Sequence, residues 1–294
     1  MIYPRLIKAS VIIPVYNNAE GLEKVLSSLV EQDFPKDEYE IIVADNGSTD
    51  NTLDVAIKYI KNYPQLVQYV IEDKIQSSYA ARNKGIDQAK GDLLAFTDSD
   101  CIPEVNWLYQ GYNSLIHKGV SMVAGRIEFT FTNSKPNIWE YFDAAGKLNQ
   151  KSYVENAGFG ATANLFVRKK MFDKYGLFLS ELISGGDYEF GRRLTKSREI
   201  LQYCRGALVY HPARSTFRDK LLKSKRIAIG QSILAEMDLL EHSQLSWRQL
   251  IPTKNYASLS NNNIGLLKKI LLVLINNLYS CLNFFWRYTY RYTK

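Results

Sequence analysis

The first hundred residues alternate between short apolar runs and segments with helical periodicity, and this alternation constrains the fold more than any other feature. The apolar runs are nearly continuous, which is typical of strands covered on both faces, as in a parallel sheet. The segments between them place apolar residues three and four positions apart, as an amphipathic helix does. Predicted strands cover residues 9–15, 40–44, 66–71 and 93–97, with a helix after each of the first three. This order predicts a doubly wound, largely parallel α/β sheet with right-handed crossovers.

Three of these predicted strands present, at their carboxyl ends, the segments 14–17, 45–48 and 98–100. The carboxyl ends of parallel strands lie along one edge of a sheet, and ligands bind at that edge in open α/β folds. We therefore expect the topology to gather these three distant segments into one site.

Asp98 and Asp100 are the most informative residues at that edge. Side chains two positions apart on an extended chain point the same way, so both carboxylates could bind one hard cation, Mg²⁺ or Mn²⁺. A polar turn that closes the strand would use the same residue types. The two residues alone leave both interpretations open.

Composition and charge set broad limits. The chain has 294 residues and 46% hydrophobic content, enough for one large α/β domain or a domain with an appendage. Its net charge of +7 fits anionic partners: nucleotide phosphates, anionic lipid or nucleic acid. The three cysteines are far apart and lack zinc-site spacing, and residues 1–10 show no secretory signal pattern. We therefore expect a reducing, cytoplasmic setting.

The sequence changes character after residue 212. Residues 217–240 predict a helix with a basic first half, and residues 267–286 are strongly apolar with one narrow polar stripe. The uninterrupted apolar stretch is shorter than the roughly 20 residues that span a bilayer, but its aromatic end suits a membrane interface. A helix docked on the protein's own core, or on a second subunit, would show the same pattern. The basic cluster at 214–226 could contact diphosphate, anionic lipid or a lipid-linked acceptor, or form a solvated helix face.

Five segments, in order and on predicted strand ends, resemble the motifs of the family 2 inverting glycosyltransferases, which use nucleotide-diphosphate sugars. They are VIIPVYN at 11–17, IIVADNGSTD at 41–50, AARNKG at 80–85, AFTDSD at 95–100 and GDYEF at 186–190. The resemblance runs from residue 10 to about residue 211. It implies the GT-A fold, a Rossmann-like, mostly parallel sheet flanked by helices, here with a helical C-terminal tail.

The same resemblance implies a division of the chain. A glycosyltransferase domain would occupy 1–212, with a nucleotide-binding half at 1–100 and an acceptor half at 101–212. The remainder, 213–294, would be a basic and amphipathic tail. We expect acceptor selectivity to lie in residues 131–166.

The resemblance also implies nucleotide-sugar contacts. The base and ribose would lie against Pro14, Tyr16 and Asp45, although a local turn would also explain Asp45. The sugar would lie near Arg82 and Asn83, which could equally form a solvated helix face.

A metal site follows from the resemblance as well. Asp100 would bind Mn²⁺ or Mg²⁺ directly, and Asp98 would contact ribose or a metal-bound water. His211 would be a further metal or diphosphate contact, although a structural histidine fits its place equally well. Asn46 stands where many relatives carry a second acid, which weakens any metal role at that position.

Asp187 would be the general base, because inversion requires a carboxylate on the sugar face opposite the leaving group. At a helix start, we expect the dipole to lower its pKa. Many relatives have Glu before this Asp, whereas this chain has Gly186. Glu189 is the second candidate base.

These implications predict a membrane-associated glycosyltransferase at the inner face of the cell membrane. It would move a sugar, with UDP-sugar the favoured donor, to a saccharide or lipid-linked saccharide in surface polysaccharide or glycolipid assembly. The membrane would be contacted through 217–292, and nucleic acid is not an expected partner.

Two alternatives remain open at this point. A sugar nucleotidyltransferase should carry a glycine-rich, basic loop after its first strand, but residues 16–20 contain no basic residue. A non-catalytic basic protein that binds membrane or nucleic acid would be indifferent to the loss of Asp187.

Overall fold

The alternating pattern of the first hundred residues forms a parallel four-stranded core in this computed structural model, which describes residues 6–145, 148–240 and 265–292. The strands are β1 (Ala9–Val15), β2 (Tyr39–Asp45), β3 (Val67–Ile71) and β4 (Leu93–Thr97). The helices between them are α1 (Ala19–Val30), α2 (Thr52–Asn62) and α3 (Ser78–Gln88). Strand β1 pairs in parallel with β2 and β4, and β2 pairs in parallel with β3. The predicted mostly parallel α/β sheet flanked by helices is confirmed.

The sheet continues past β4 with antiparallel strands. The remaining elements are β5 (Ile102–Pro103), α4 (Trp107–Ile116), β6 (Val120–Thr130), α5 (Ile138–Ala145), α6 (Gln150–Ser152), a π-helical turn (Tyr153–Ala157), β7 (Asn164–Arg168), α7 (Lys170–Tyr175), α8 (Gly186–Lys196), β8 (Ile200–Pro212), α9 (Phe217–Glu236) and α10 (Leu266–Tyr292). Strand β7 pairs antiparallel with both β4 and β6. Within the described residues, eight strands form one sheet in the order β3-β2-β1-β4-β7-β6-β8-β5.

Local sequence signals explain where the first helices begin. The Asn18 side chain accepts the Gly21 N–H at the start of α1, and Ser77 accepts the Tyr79 N–H at the start of α3. Such caps satisfy backbone donors that have no partner within the helix. The five apolar residues whose spacing predicts α1 are all buried: Leu22, Val25, Leu26, Leu29 and Val30.

One turn assignment is wrong. The sequence suggests Gly91 as a left-handed residue closing α3 near Lys90, but the helix ends at Gln88 and Gly91 has no positive φ. A Cβ on Gly91 would lie 2.7 Å from the carbonyl carbon of Ala9. Glycine is therefore needed there because the backbone of β1 passes closely, and not for a left-handed turn.

The chain divides into two units. Within the described residues, the first comprises 6–128, 149–182 and 186–211, and the second comprises 129–145, 148, 183–185, 212–240 and 265–292. The first unit holds the parallel strands and all the candidate site residues. Residues 241–264 of the predicted tail lie outside the described residues.

In the second unit, α10 packs against α9 and α5. Its inner face is buried at Leu272, Ile275, Tyr279 and Phe284, whereas its other face exposes Leu266, Leu267, Ile270, Leu271, Leu274, Leu278, Phe285 and Tyr288. The helix extends beyond the predicted 267–286 segment. Among the residues that the structure describes, one helix, Leu266–Arg291, is long and apolar enough to cross a membrane by length and composition. The helix reaches this length by including polar and charged residues, so the uninterrupted apolar stretch remains shorter than a bilayer-spanning segment.

Candidate active site

Hydrogen bonds between the loops after β1, β2 and β4 hold three strand ends together. Asn18 donates from Nδ2 to Ser99 Oγ at 3.0 Å, which joins the β1 loop to the β4 loop. Asn17 accepts the Thr49 N–H at 2.7 Å, which joins the β1 loop to the β2 loop. Asn17 has a φ of 47°, a left-handed conformation that asparagine tolerates better than most residues. The predicted meeting of the three segments at one sheet edge is thus observed.

Asp98, Asp100, Cys101 and His211 form a compact group at this edge. One ligand atom from each lies within 4.8 Å of the others. Two carboxylates and an imidazole suit Mn²⁺, and the carboxylates alone suit Mg²⁺. The Cys101 thiol is buried, which raises its pKa well above the ordinary value, and its Sγ is 3.8 Å from Asp100 Oδ1. Sulfur is a soft ligand that Mn²⁺ and Mg²⁺ disfavour relative to oxygen and imidazole, so the donor set that fits is Asp98, Asp100 and His211.

The sequence did not lead us to include Cys101 in this group. His211 was expected here only because of the family resemblance. Cys101 directly follows Asp100 in the chain, so its proximity has a sequence signal. His211 is buried near the end of β8, and the short strand β5 pairs with β8 just after the acidic segment. No local pattern predicts that long-range pairing.

Asp187 lies in the first turn of α8. Its Oδ1 accepts the Tyr188 N–H at 2.9 Å. Burial raises the pKa of Asp187 above its ordinary value, opposed by the Tyr188 N–H and by the charge of Arg82. The expectation of a lowered pKa is therefore wrong, because desolvation outweighs the donors at the helix start.

A chain of contacts links Asp187 to the acidic group. The Tyr79 hydroxyl donates to Asp187 Oδ1 at 3.3 Å, and the Arg82 guanidinium lies 5.5 Å from the centre of the Tyr79 ring. Arg82 in turn donates from Nη2 to Asp98 Oδ1 at 2.5 Å. Arg82 is buried, so the suggestion of a solvated helix face does not hold for it.

Asp45 lies buried at the end of β2, with both carboxylate oxygens bonded within the protein. Oδ1 accepts the Ser48 N–H at 2.8 Å, which is the local turn anticipated from the sequence. Oδ2 accepts the Tyr69 hydroxyl at 2.6 Å. Nearby, Pro14 is buried in β1 and Tyr16 just beyond it is 52% exposed. A carboxylate oxygen has two lone pairs, so Asp45 keeps capacity for a further donor.

The side chains of two other candidate site residues, Asn83 and Glu189, are already engaged in hydrogen bonds within the protein. The Asn83 amide donates to the Phe178 carbonyl oxygen at 2.8 Å and accepts the Phe178 N–H at 3.1 Å. Glu189 is buried and pairs with Arg193 through both oxygens, each at 2.8 Å. Glu189 therefore has little capacity to accept a proton from a substrate.

An aromatic cluster that sequence reasoning missed lies beside Asp187. The Tyr153 and Phe159 rings stack with centres 4.7 Å apart, and the Tyr188 ring meets Phe159 edge-on at 5.3 Å. Tyr188 directly follows Asp187 in the chain, and burial together with the charge of Asp187 raises the pKa of Tyr153. All three side chains are half-buried. Tyr153 starts a π-helical turn, a feature frequent at functional sites.

Comparisons with known proteins agree with this geometry. A family model described as "Glycosyl transferase family 2" matches residues 10–176. Glycosyltransferase AglE of Haloferax volcanii is 40% identical over 222 residues, a match that covers 76% of this chain and 72% of that protein.

Many solved structures are similar to this chain, including the following two. The mannosyltransferase PcManGT from Pyrobaculum calidifontis, in complex with GDP-Man and Mn²⁺, gives a TM-score of 0.69 at 15% identity, covering 99% of this chain and 89% of that one. S. aureus TarS 1–349 in complex with UDP-GlcNAc gives a TM-score of 0.55 at 22% identity, covering 78% of this chain and 71% of that one. At these identities the structural matches show a shared fold and nothing more.

Proposed function

Because the chain belongs to glycosyl transferase family 2, we propose that it moves a sugar, with inversion, from a nucleotide-diphosphate donor to an acceptor hydroxyl. It is a glycosyltransferase with the GT-A fold. The observation that carries the finer proposal is the contact chain from Asp187 through Tyr79 and Arg82 to Asp98. These contacts connect the candidate base to the acids that could hold a cation, and that cation would bind the donor diphosphate. Membership of this family decides against the two alternatives, a sugar nucleotidyltransferase and a non-catalytic binding protein.

On the donor side, Asp45 would accept an N–H of the base, with Pro14 and Tyr16 flanking base and ribose. Uracil presents one imide N–H, which a single carboxylate oxygen can accept. Guanine presents two adjacent N–H groups and would need the remaining lone pair on both Asp45 oxygens, whereas uracil would need only one. These bonds favour UDP-sugar as the donor, although PcManGT was solved with GDP-Man and TarS with UDP-GlcNAc.

Asp98, Asp100 and His211 would hold the divalent metal, Mn²⁺ or Mg²⁺. When bound, such a cation neutralises the charge that develops on the leaving diphosphate. Arg82 already balances part of the negative charge of Asp98. The role of Asn83 in our proposal is indirect, since its amide bonds to Phe178 and fixes the segment after α7 against α3.

On the acceptor side, Asp187 would take the proton from the attacking hydroxyl. Its raised pKa makes it a stronger base than an ordinary aspartate. The neighbouring Tyr153, Phe159 and Tyr188 rings would contact the C–H face of an acceptor sugar, as aromatic side chains do in ligand sites. Two of these rings belong to the 131–166 region in which we expect acceptor selectivity, and a saccharide acceptor matches this lining.

The second unit would place the protein on a membrane. Residues 266–292 contain four basic residues and no acidic residue. Most of the large exposed side chains of α10 are apolar, from Leu266 to Leu278 and again at Phe285 and Tyr288. An apolar face with basic residues fits an anionic membrane surface. We propose a cytoplasmic enzyme at the inner face of the membrane, built from a catalytic domain at 1–212 and a tail at 213–294, in polysaccharide or glycolipid assembly.

A donor screen tests the catalytic proposal. Mn²⁺ with UDP or UDP-sugars should raise the melting temperature, and UDP-sugars should be hydrolysed slowly without acceptor. Asp100→Asn should lose the Mn²⁺-dependent part of that stabilisation. Equal stabilisation by every nucleoside diphosphate, with or without metal, would contradict both the metal site and the base preference.

Vesicle co-sedimentation tests the membrane proposal. Binding to anionic vesicles should weaken in Leu274→Glu, which places a charge on the exposed apolar face of α10. Asn276→Glu is the matched control, because it places the same charge at another exposed position of the same helix. Equal binding by both variants and the unaltered protein would count against the apolar face as the contact.

A further inference from the structure

Tyr79 packs directly against the residue that precedes the proposed base. The residue is buried on α3, with 6% of its surface exposed. A Cβ placed on Gly186 would lie 2.9 Å from three atoms of the Tyr79 ring. Contacts that short are not tolerated between a side chain and a rigid ring, so Gly186 must be glycine while Tyr79 keeps this position.

The polar end of the same side chain reaches Asp187. Its hydroxyl donates to Asp187 Oδ1 at 3.3 Å, the oxygen that also accepts the Tyr188 N–H. Hydrogen bonds to catalytic groups are often long in structures without substrate and shorten when substrate binds. Tyr79 is therefore placed to fix the orientation of the Asp187 carboxylate.

The ring also contacts the donor side of the site. The Arg82 guanidinium lies 5.5 Å from the ring centre and pairs with Asp98. The Phe178 ring lies 5.8 Å from the Tyr79 ring. A single buried ring thus touches the arginine bound to the acidic group and the residue beside the base.

We propose that Tyr79 is a positioning residue that holds the Asp187 carboxylate for proton abstraction and couples its position to Arg82. The proposal rests on the proposed function, since it requires Asp187 to be the base. The same geometry explains why residue 186 is glycine. The Tyr79 ring occupies the space that a side chain on Gly186 would need, and the hydroxyl of that ring donates a hydrogen bond to Asp187.

Several charged or titratable groups face Asp187 and set the expected pH dependence. Tyr79 and Arg82 face it from α3, Asp98 from the loop after β4, and Tyr153 from the π-helical turn. A hydroxyl that donates to a carboxylate favours the ionised form. Loss of that hydroxyl should therefore move the acidic limb of the rate profile to higher pH.

The test is Tyr79→Phe, which keeps the ring and removes the hydroxyl. Transfer kcat should fall roughly tenfold, in line with loss of a hydrogen bond to a charged group, while the donor KM stays within about twofold. The acidic limb of kcat against pH should shift upward. Tyr175→Phe is the matched control, because it removes a tyrosine-to-carboxylate hydrogen bond, to Glu199, away from the site; it should leave the profile unchanged.

Gly186→Ala provides a second variant, because the added methyl group must displace the ring; kcat should fall with the same change in pH profile. Wild-type kcat and pH profile in Tyr79→Phe would overturn the positioning role. Asp187→Asn, measured alongside, separates the two proposals: if it loses transfer while Tyr79→Phe is normal, only the role of Tyr79 fails. If Asp187→Asn transfers sugar at the wild-type rate, the proposed base fails and the positioning role fails with it.

Discussion

Asp187 in the first unit and Asp143 in the second are both aspartates in desolvated surroundings, yet their pKa values shift in opposite directions. Burial alone would raise the pKa of Asp143, but the charge of Lys223, the hydrogen bond from Lys220 and the Arg214 N–H lower it to about 2. Lys220 Nζ lies 2.7 Å from Asp143 Oδ1 and Lys223 Nζ lies 3.2 Å from it. Among the described residues, the hydrogen bonds to the Asp187 carboxylate come from neutral donors and not from a cation, and its pKa rises.

The difference separates a structural acid from a reactive one. A carboxylate saturated by two ammonium groups is held as an anion and offers no basicity at neutral pH. A desolvated carboxylate whose hydrogen bonds come only from neutral donors binds a proton more tightly than an ordinary aspartate does. That is the property required of a general base.

The largest effect expected from this contrast is on activity. Asp187→Asn removes the proton acceptor and should lower the transfer rate about 1,000-fold, within the range for general bases. Binding of UDP and Mn²⁺, measured by calorimetry, should stay near normal because the change lies outside the metal group. Glu189→Gln is the comparison variant for the second candidate base, and its rate per folded molecule should stay within several-fold of wild type. A reversed ranking of the two variants would move the base to Glu189.

The second effect is on stability, and it falls on the other aspartate. Asp143→Asn leaves Lys220 and Lys223 without their counter-charge and should lower the free energy of unfolding by about 3 kcal/mol. Chemical denaturation measures this. Glu20→Gln, which removes an exposed pair with Lys24, should leave the denaturation midpoint unchanged. Equal losses in the two variants would show that burial does not distinguish these pairs.

The sheet and its polar edge could be predicted because they depend on local signals and topology. Apolar runs, helical spacing and the caps at Asn18 and Ser77 are all encoded within a few residues. The right-handed parallel crossover then fixes that the ends of β1, β2 and β4 meet. The proximity of Asp98 and Asp100 follows from the same reasoning.

The partners of the acids could not be predicted in this way. Tyr69 bonds to Asp45 from a neighbouring strand, and Tyr79 bonds to Asp187 from a helix more than 100 residues away in sequence. Such contacts depend on helix rotation and side-chain rotamers, which no periodicity specifies. The prediction of a lowered Asp187 pKa is wrong for the same reason. The helix dipole can be inferred from the nearby sequence, whereas desolvation depends on residues packed from elsewhere in the chain.

A third effect is the pH dependence that Asp143 gives to folding. Its pKa falls from 3.8 in the unfolded chain to about 2 in the folded protein. The stabilisation is therefore complete above the unfolded value and disappears as pH falls from about 5 toward 2. The difference of 3.8 − 2 = 1.8 units corresponds to about 2.5 kcal/mol. Unfolding curves at several pH values should show this loss in the wild type and a flatter dependence in Asp143→Asn; parallel curves would contradict it.

The smallest effect is a gain in stability from Asp187→Asn, opposite in sign to the loss from Asp143→Asn. A raised folded-state pKa means that the folded protein favours the protonated form, so ionisation at neutral pH costs stability. The neutral amide removes this cost, and the melting temperature in metal-free buffer should rise by roughly 2 °C at pH 7. The gain should vanish below the unfolded pKa of 3.8, where the wild-type carboxyl is protonated in both states. Differential scanning calorimetry at pH 7 and pH 3.5 measures both values. A fall in melting temperature at pH 7 would show that Asp187 stabilises the fold, as Asp143 does, and would remove the contrast on which its role as a base depends.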